Sequence, residues 1–104
     1  MPSPIKIRAQ LKGDVAEIRV QMMHPMETGQ RKEAHSDKPV PAHFIQTFGI
    51  AVNGKPVVDG QTGPSVSRHP LFVVKVRGAK AGDKVSVSWV DNKGEKRSDE
   101  AAIA

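Results

Sequence analysis

The chain has 104 residues, carries 16 Lys and Arg against 11 Asp and Glu for a net +5, and contains no cysteine. That length makes a single domain spanning residues 1–104, too small to enclose much of a substrate pocket. The missing cysteine excludes a disulfide, a thiolate metal site or a thiol nucleophile within these residues.

The first segment alternates strictly. Ile5, Ile7, Ala9 and Leu11 share one face, and Lys6, Arg8, Gln10 and Lys12 share the other. A period of two with basic residues outward predicts a half-buried strand. Gly13-Asp14 supplies a turn, and Ala16, Ile18, Val20 and Met22 alternate with Glu17, Arg19 and Gln21 to complete a hairpin.

From Pro25 to Pro41 the alternation stops, and Pro25, Gly29, Pro39 and Pro41 break any helix. A loop of that length in a compact domain tends to be functional or flexible. A third strand is expected from His43 to Val52. Phe44, Phe48, Ile50 and Val52 would lie on one face, with Ile45, Thr47, Gly49 and Ala51 on the other. A strand apolar on both faces is buried within its domain or covered by another chain.

Asn53-Gly54 is a strong hairpin signal, because a type I′ turn needs positive φ at both central residues. A short return strand is expected over 55–59, then a loop from Gly60 to Pro70 that holds a possible short strand over 65–67. Leu71 to Arg77 reads as a strand with Phe72, Val74 and Val76 inward. Val85, Val87 and Trp89 define another, and Asp91-Asn92-Lys93-Gly94 makes a tight turn before a polar edge strand or tail. About seven short strands without helical periodicity predict an all-β fold, a single antiparallel, immunoglobulin-like β-sandwich.

Catalytic motifs are missing: there is no Gly-x-Ser-x-Gly, His-Glu-x-x-His or phosphate-loop glycine pattern. Non-enzymatic function is therefore expected, with no cofactor. Met22, Met23, His24 and Met26 crowd together, and His35 and His43 flank the same loop. Thioether and imidazole suit copper, so a periplasmic copper-binding sandwich using Met23, His24, Met26 and His43 is one reading. Packing by Met in irregular gaps is the plainer one. The basic residues are spread through the sequence, with Arg31-Lys32 and Lys96-Arg97 the densest pairs. Few aromatics interleave them, which disfavours single-stranded nucleic acid as a ligand. No run approaches the roughly 20 apolar residues of a membrane helix, and the opening Met1-Pro2-Ser3-Pro4 lacks a signal-like apolar stretch.

The string His24-Pro25-Met26-Glu27-Thr28-Gly29, then Arg31-Lys32 and Pro41-Ala42-His43-Phe44-Ile45, resembles the Z-subunit family of the thiosulfate-oxidising Sox carrier complex, SoxYZ. The Ile5–Ala9 opening, the Asn53-Gly54 hairpin and the Trp89 strand fit the same resemblance, which covers essentially the whole chain. Neither fold nor packing seen in the sequence demands the His-Pro-Met-Glu-Thr-Gly-x-Arg run. The resemblance implies an immunoglobulin-like, non-catalytic subunit paired with a SoxY-like partner that carries sulfur on a cysteine near its C-terminus. The pair would be a heterodimer or a higher assembly, visited transiently by other Sox enzymes. It further implies a periplasmic location reached by co-export with that partner. Met26, Glu27, Arg31, Phe44, Ile45 and Thr47 are the expected partner-interface residues.

Overall fold

A computed structural model describes residues 3–32, 38–63, 66 and 68–104. Seven strands follow one another: β1 (Lys6–Lys12), β2 (Val15–Gln21), β3 (Ile45–Val52), β4 (Lys55–Gln61), β5 (Leu71–Arg77), β6 (Lys84–Asp91) and β7 (Lys96–Ala102). They form a three-stranded sheet in the order β1-β2-β5 and a four-stranded sheet in the order β4-β3-β6-β7. Every pairing is antiparallel. The expected sandwich is the fold.

Turn chemistry sets the hairpins. Gly13 takes φ of 67° in the two-residue β1–β2 turn, while Asn53 and Gly54 take 52° and 81° in the β3–β4 turn. These are the positive values that primed turns demand. The return strand β4 runs longer than expected, to Gln61. The 65–67 segment lies largely outside the described residues.

The core is built from the inward residues of both sheets. Ala9, Ala16, Ile18 and Val20 face Ile45, Phe48, Ile50, Val85, Val87 and Trp89. Phe48 stacks on Phe72 with ring centroids 4.6 Å apart. A side chain at Gly60, opposite Phe48 in β4, would place its Cβ 2.5 Å from the Phe48 ring, so only glycine lets that ring lie flat against the backbone.

β3 departs from simple alternation. Its register against β6 shifts between Ile45 and Thr47, and the extra residue turns Ile45 into the core. Ile45 is fully buried and Thr47 exposed, so the two do not share a face. A bulge inserts one unpaired residue and re-aims its neighbours, and sequence periodicity does not reveal it. The polar tail proves to be an edge strand, β7, whose inward Arg97 and Asp99 pair at 2.8 Å while Asp99 also accepts the Ile5 N–H. Inward charges on an edge strand discourage further strand addition there.

Candidate functional site

One end of the sandwich gathers the C-terminal ends of β2 and β6, the N-terminal ends of β3 and β5, and the segment after β2 that carries the Pro-rich motif. Asp91 closes β6 and is 2% exposed. Its Oδ1 accepts the backbone N–H groups of Lys93 and Glu95 at 3.0 and 2.9 Å, shaping the β6–β7 turn. Its Oδ2 accepts from two imidazoles, His24 Nε2 at 3.0 Å and His43 Nε2 at 2.7 Å. Glu95 lies 3.5 Å from the same His43 nitrogen.

Hydrogen-bond logic assigns the His24 tautomer. The Met26 N–H donates to His24 Nδ1 at 3.2 Å, so that nitrogen is an acceptor and the proton sits on Nε2, facing Asp91. Burial holds the His24 pKa below the usual histidine value, and the Asp91 hydrogen bond offsets this only in part. For Asp91, burial pushes the pKa upward, but the bonds from His24, His43 and the Glu95 and Lys93 N–H groups outweigh it. The net shift is downward, and Asp91 is a carboxylate at neutral pH. The His24 ring also meets Trp89 edge-on at 5.1 Å and His43 at 4.4 Å.

Backbone bonds tie the motif to this centre. The His24 N–H donates to His69 Nδ1 at 3.0 Å, and the His69 N–H returns to the His24 carbonyl at 2.9 Å. Glu27 and His43 exchange both backbone bonds, and the Val40 N–H reaches the Arg31 carbonyl, so residues 27–32 and 38–43 run as two arms of an excursion. Gly29, at φ of 87°, sits where a Cβ would come within 3.2 Å of the Ala42 Cβ. Asn92 completes the clamp by accepting the Phe44 N–H and donating to the Ala42 carbonyl.

The expected interface residues separate into two groups. Met26 and Ile45 lie inside: Met26 is 5% exposed, and its Sδ accepts the Ile45 N–H at 3.4 Å. Phe44 is half-buried and Thr47 exposed. Glu27 grips Arg31 through both carboxylate oxygens at 2.8–3.1 Å, which holds the Glu27 carboxyl below its ordinary pKa and leaves the guanidinium outermost. Much of the motif string therefore has a packing role that the sequence alone did not disclose.

His24, His43 and Asp91 bring three possible metal-ligating atoms within 4.8 Å of one another. The donor pattern opposes a metal there. A neutral histidine bound to a metal through Nε2 keeps its proton on Nδ1 and donates it to an acceptor. At His24 that nitrogen instead faces the Met26 N–H. Met26, a ligand in the alternative copper reading, spends its sulfur on Ile45, and His35 lies outside the described residues. Asp91 was not anticipated as part of this site. Its turn role is legible in Asp-x-x-Gly, but its reach to His24, 67 positions away, is visible only in the fold.

Residues 5–102 match the family model described as sulphur oxidation protein SoxZ. The chain belongs to that family. Membership places it among the subunits of the Sox sulfur-oxidation system. No curated protein matches it. Among the described residues, no helix is long and apolar enough to cross a membrane.

Proposed function

We propose that this SoxZ-family chain is a non-catalytic subunit that binds a SoxY-like, cysteine-bearing sulfur carrier and presents it to the other Sox enzymes. The observation that carries the reading is family membership over nearly the whole chain combined with the lack of any cysteine among its 104 residues. A thiol-bound sulfur intermediate must then reside on another chain, and this one acts on it by holding it in place. The His24–Asp91–His43 cluster does not suggest catalysis: its carboxylate is consumed by four hydrogen bonds, and among the described residues no nucleophile bonds the imidazoles.

The carrier would meet the surface around the motif excursion. Arg31, Phe44 and Thr47 are the residues able to touch it directly. Glu27 aims Arg31, while Met26 and Ile45 brace the excursion from within. A periplasmic location, reached by export together with the carrier, completes the reading.

The test is co-expression with the proteins encoded beside this chain, followed by intact mass spectrometry of the purified complex. A stable complex with a small cysteine-containing protein, carrying sulfur-sized mass additions on that protein alone, supports the role. Isolation of this chain without such a partner under those conditions overturns it.

A further inference from the structure

The sheet registers collect the positive charge onto one surface. Reading across the outer face of β1-β2-β5, the rows are Lys6–Gln21–Leu71, Arg8–Arg19–Val73, Gln10–Glu17–Lys75 and Lys12–Val15–Arg77. Lys6, Arg8, Lys12, Arg19, Lys75 and Arg77 are all exposed, against Glu17 as the one acid in these rows. Removing these six cations and one acid from the chain's 16 and 11 leaves ten of each sign. The whole excess of +5 therefore sits on this face, and the rest of the chain is balanced.

Two further features mark the face. Arg8 and Arg19 stand directly opposite each other, a like-charge pairing that costs sheet stability. Glu17 relieves only part of this, bonding Arg19 at 3.1 Å and Lys12 at 3.5 Å. Leu71 and Val73, 58% and 49% exposed, lie among the cations on β5, which has strand β2 on one side and, among the described residues, an unpaired edge on the other. A shallow depression of about 470 Å³, lined by Lys6, Ile7, Arg8, Arg19, Gln21 and Leu71, runs beside them.

The geometry points to this face as a docking surface for an acidic protein partner, whose extended segment lies along the free edge of β5 with apolar side chains on Leu71 and Val73. Charge complementarity selects the occupant, since acidic side chains would lie beside Lys75 and Arg77 on β5, within the field of Arg19 and Arg8 across the sheet. A second copy docked through the same face would bring like charge against like charge, and the balanced remainder of the chain offers no net negative charge to attract it. Nucleic acid would leave Leu71 and Val73 without a role, and the aromatic ring of β5, Phe72, points inward against Phe48 instead of outward for stacking. Strand addition to an open edge, with alternate side chains read by the sheet face, is an established mode of peptide recognition. The inference stands independently of the carrier reading, because its test uses this chain alone.

The experiment is a titration of isotope-labelled chain, followed through its backbone amide resonances. The probe is a capped acidic peptide of about eight residues, long enough to match one strand, with Glu at its first and third positions, Val at its fifth and seventh and Thr between them, so that both Glu and both Val share one face. Shifts confined to β1, β2 and β5 are expected, with affinity weakened at higher ionic strength. The R8E/R19E double variant is expected to bind roughly tenfold more weakly. The L71A/V73A variant is expected to bind more weakly at unchanged salt dependence. Absence of localised shifts would overturn the proposal. So would a single-stranded oligonucleotide of equal charge that binds the same face as tightly and ignores L71A/V73A.

Discussion

Asp91 and Arg8 both carry charge in this small fold, and the fold treats them in opposite ways. Asp91 is buried at one end of the sandwich with both oxygens occupied, between two imidazoles and two backbone N–H groups. Arg8 lies on the outer face of β1-β2-β5 opposite another arginine, with no ion pair of its own among the described residues. A charge that is fully satisfied inside a protein holds structure in place. A charge left unsatisfied beside its like on an open face adds nothing to folding and is available to a partner. The motif that marks the family at sequence level thus belongs largely to the first kind. The surface that reaches outward is built from residues that looked ordinary in sequence.

The largest effect is expected at Asp91. In Asp91→Asn, either the amide NH₂ faces the His24 and His43 donors or it faces the turn N–H groups, so buried donors lose their acceptor. Urea unfolding is expected to show a loss of about 2–4 kcal/mol. A variant as stable as the parent would mean that the cluster is not the brace described. Next is Gly60→Ala, whose new methyl would press on a Phe48 ring already held by Phe72. A loss of about 1–3 kcal/mol is expected from overpacking, read from the thermal or urea midpoint.

The pH dependence follows from His24. Its folded pKa is lowered, so below the free value of about 6.5 the unfolded chain takes up a proton that the folded chain refuses. Stability contributed by this group is complete above that pH and declines as pH falls through it, at up to about 1.4 kcal/mol per unit. Unfolding curves across the mildly acidic range should show the decline, and His24→Gln should flatten it. The depressed pKa of Asp91 acts lower, its contribution being lost only as pH falls below the ordinary carboxylate range. An unchanged slope in His24→Gln would contradict the buried, neutral His24. The smallest effect is expected at Arg31→Ala. An exposed, solvent-screened pair with Glu27 contributes little, so stability should barely move. A weaker hold on the co-purifying carrier, measured by dissociation rate, would place Arg31 at that contact.

The strands were readable because alternation survives in each: Ile5 to Leu11, Ala16 to Met22, Leu71 to Arg77 and Val85 to Trp89 fall in the structure as their pattern demands. The Asn53-Gly54 turn was readable because its backbone needs are local. The faces of β3 were misread at Ile45, since one inserted residue against β6 reverses the side and leaves no local mark. The site was legible only in its near half. His24, Met26 and His43 announced themselves by crowding around one loop and Glu27 through the motif string, while Asp91 joined them through a contact between distant strands. The basic face stayed hidden for the same reason: Arg8, Arg19 and Lys75 become neighbours only once β1, β2 and β5 pair.

The division between a braced end and a reaching face is tested most directly by measuring unfolding free energy and acidic-peptide affinity on Asp91→Asn and R8E/R19E side by side. Asp91→Asn should lose stability yet bind the peptide as the parent does under conditions where it is folded. R8E/R19E should stay close to the parent in stability, since on an exposed face one like-charge pair replaces another, and bind roughly tenfold more weakly. If R8E/R19E loses stability without losing affinity, or Asp91→Asn loses affinity without losing stability, the two regions do not divide the work in this way.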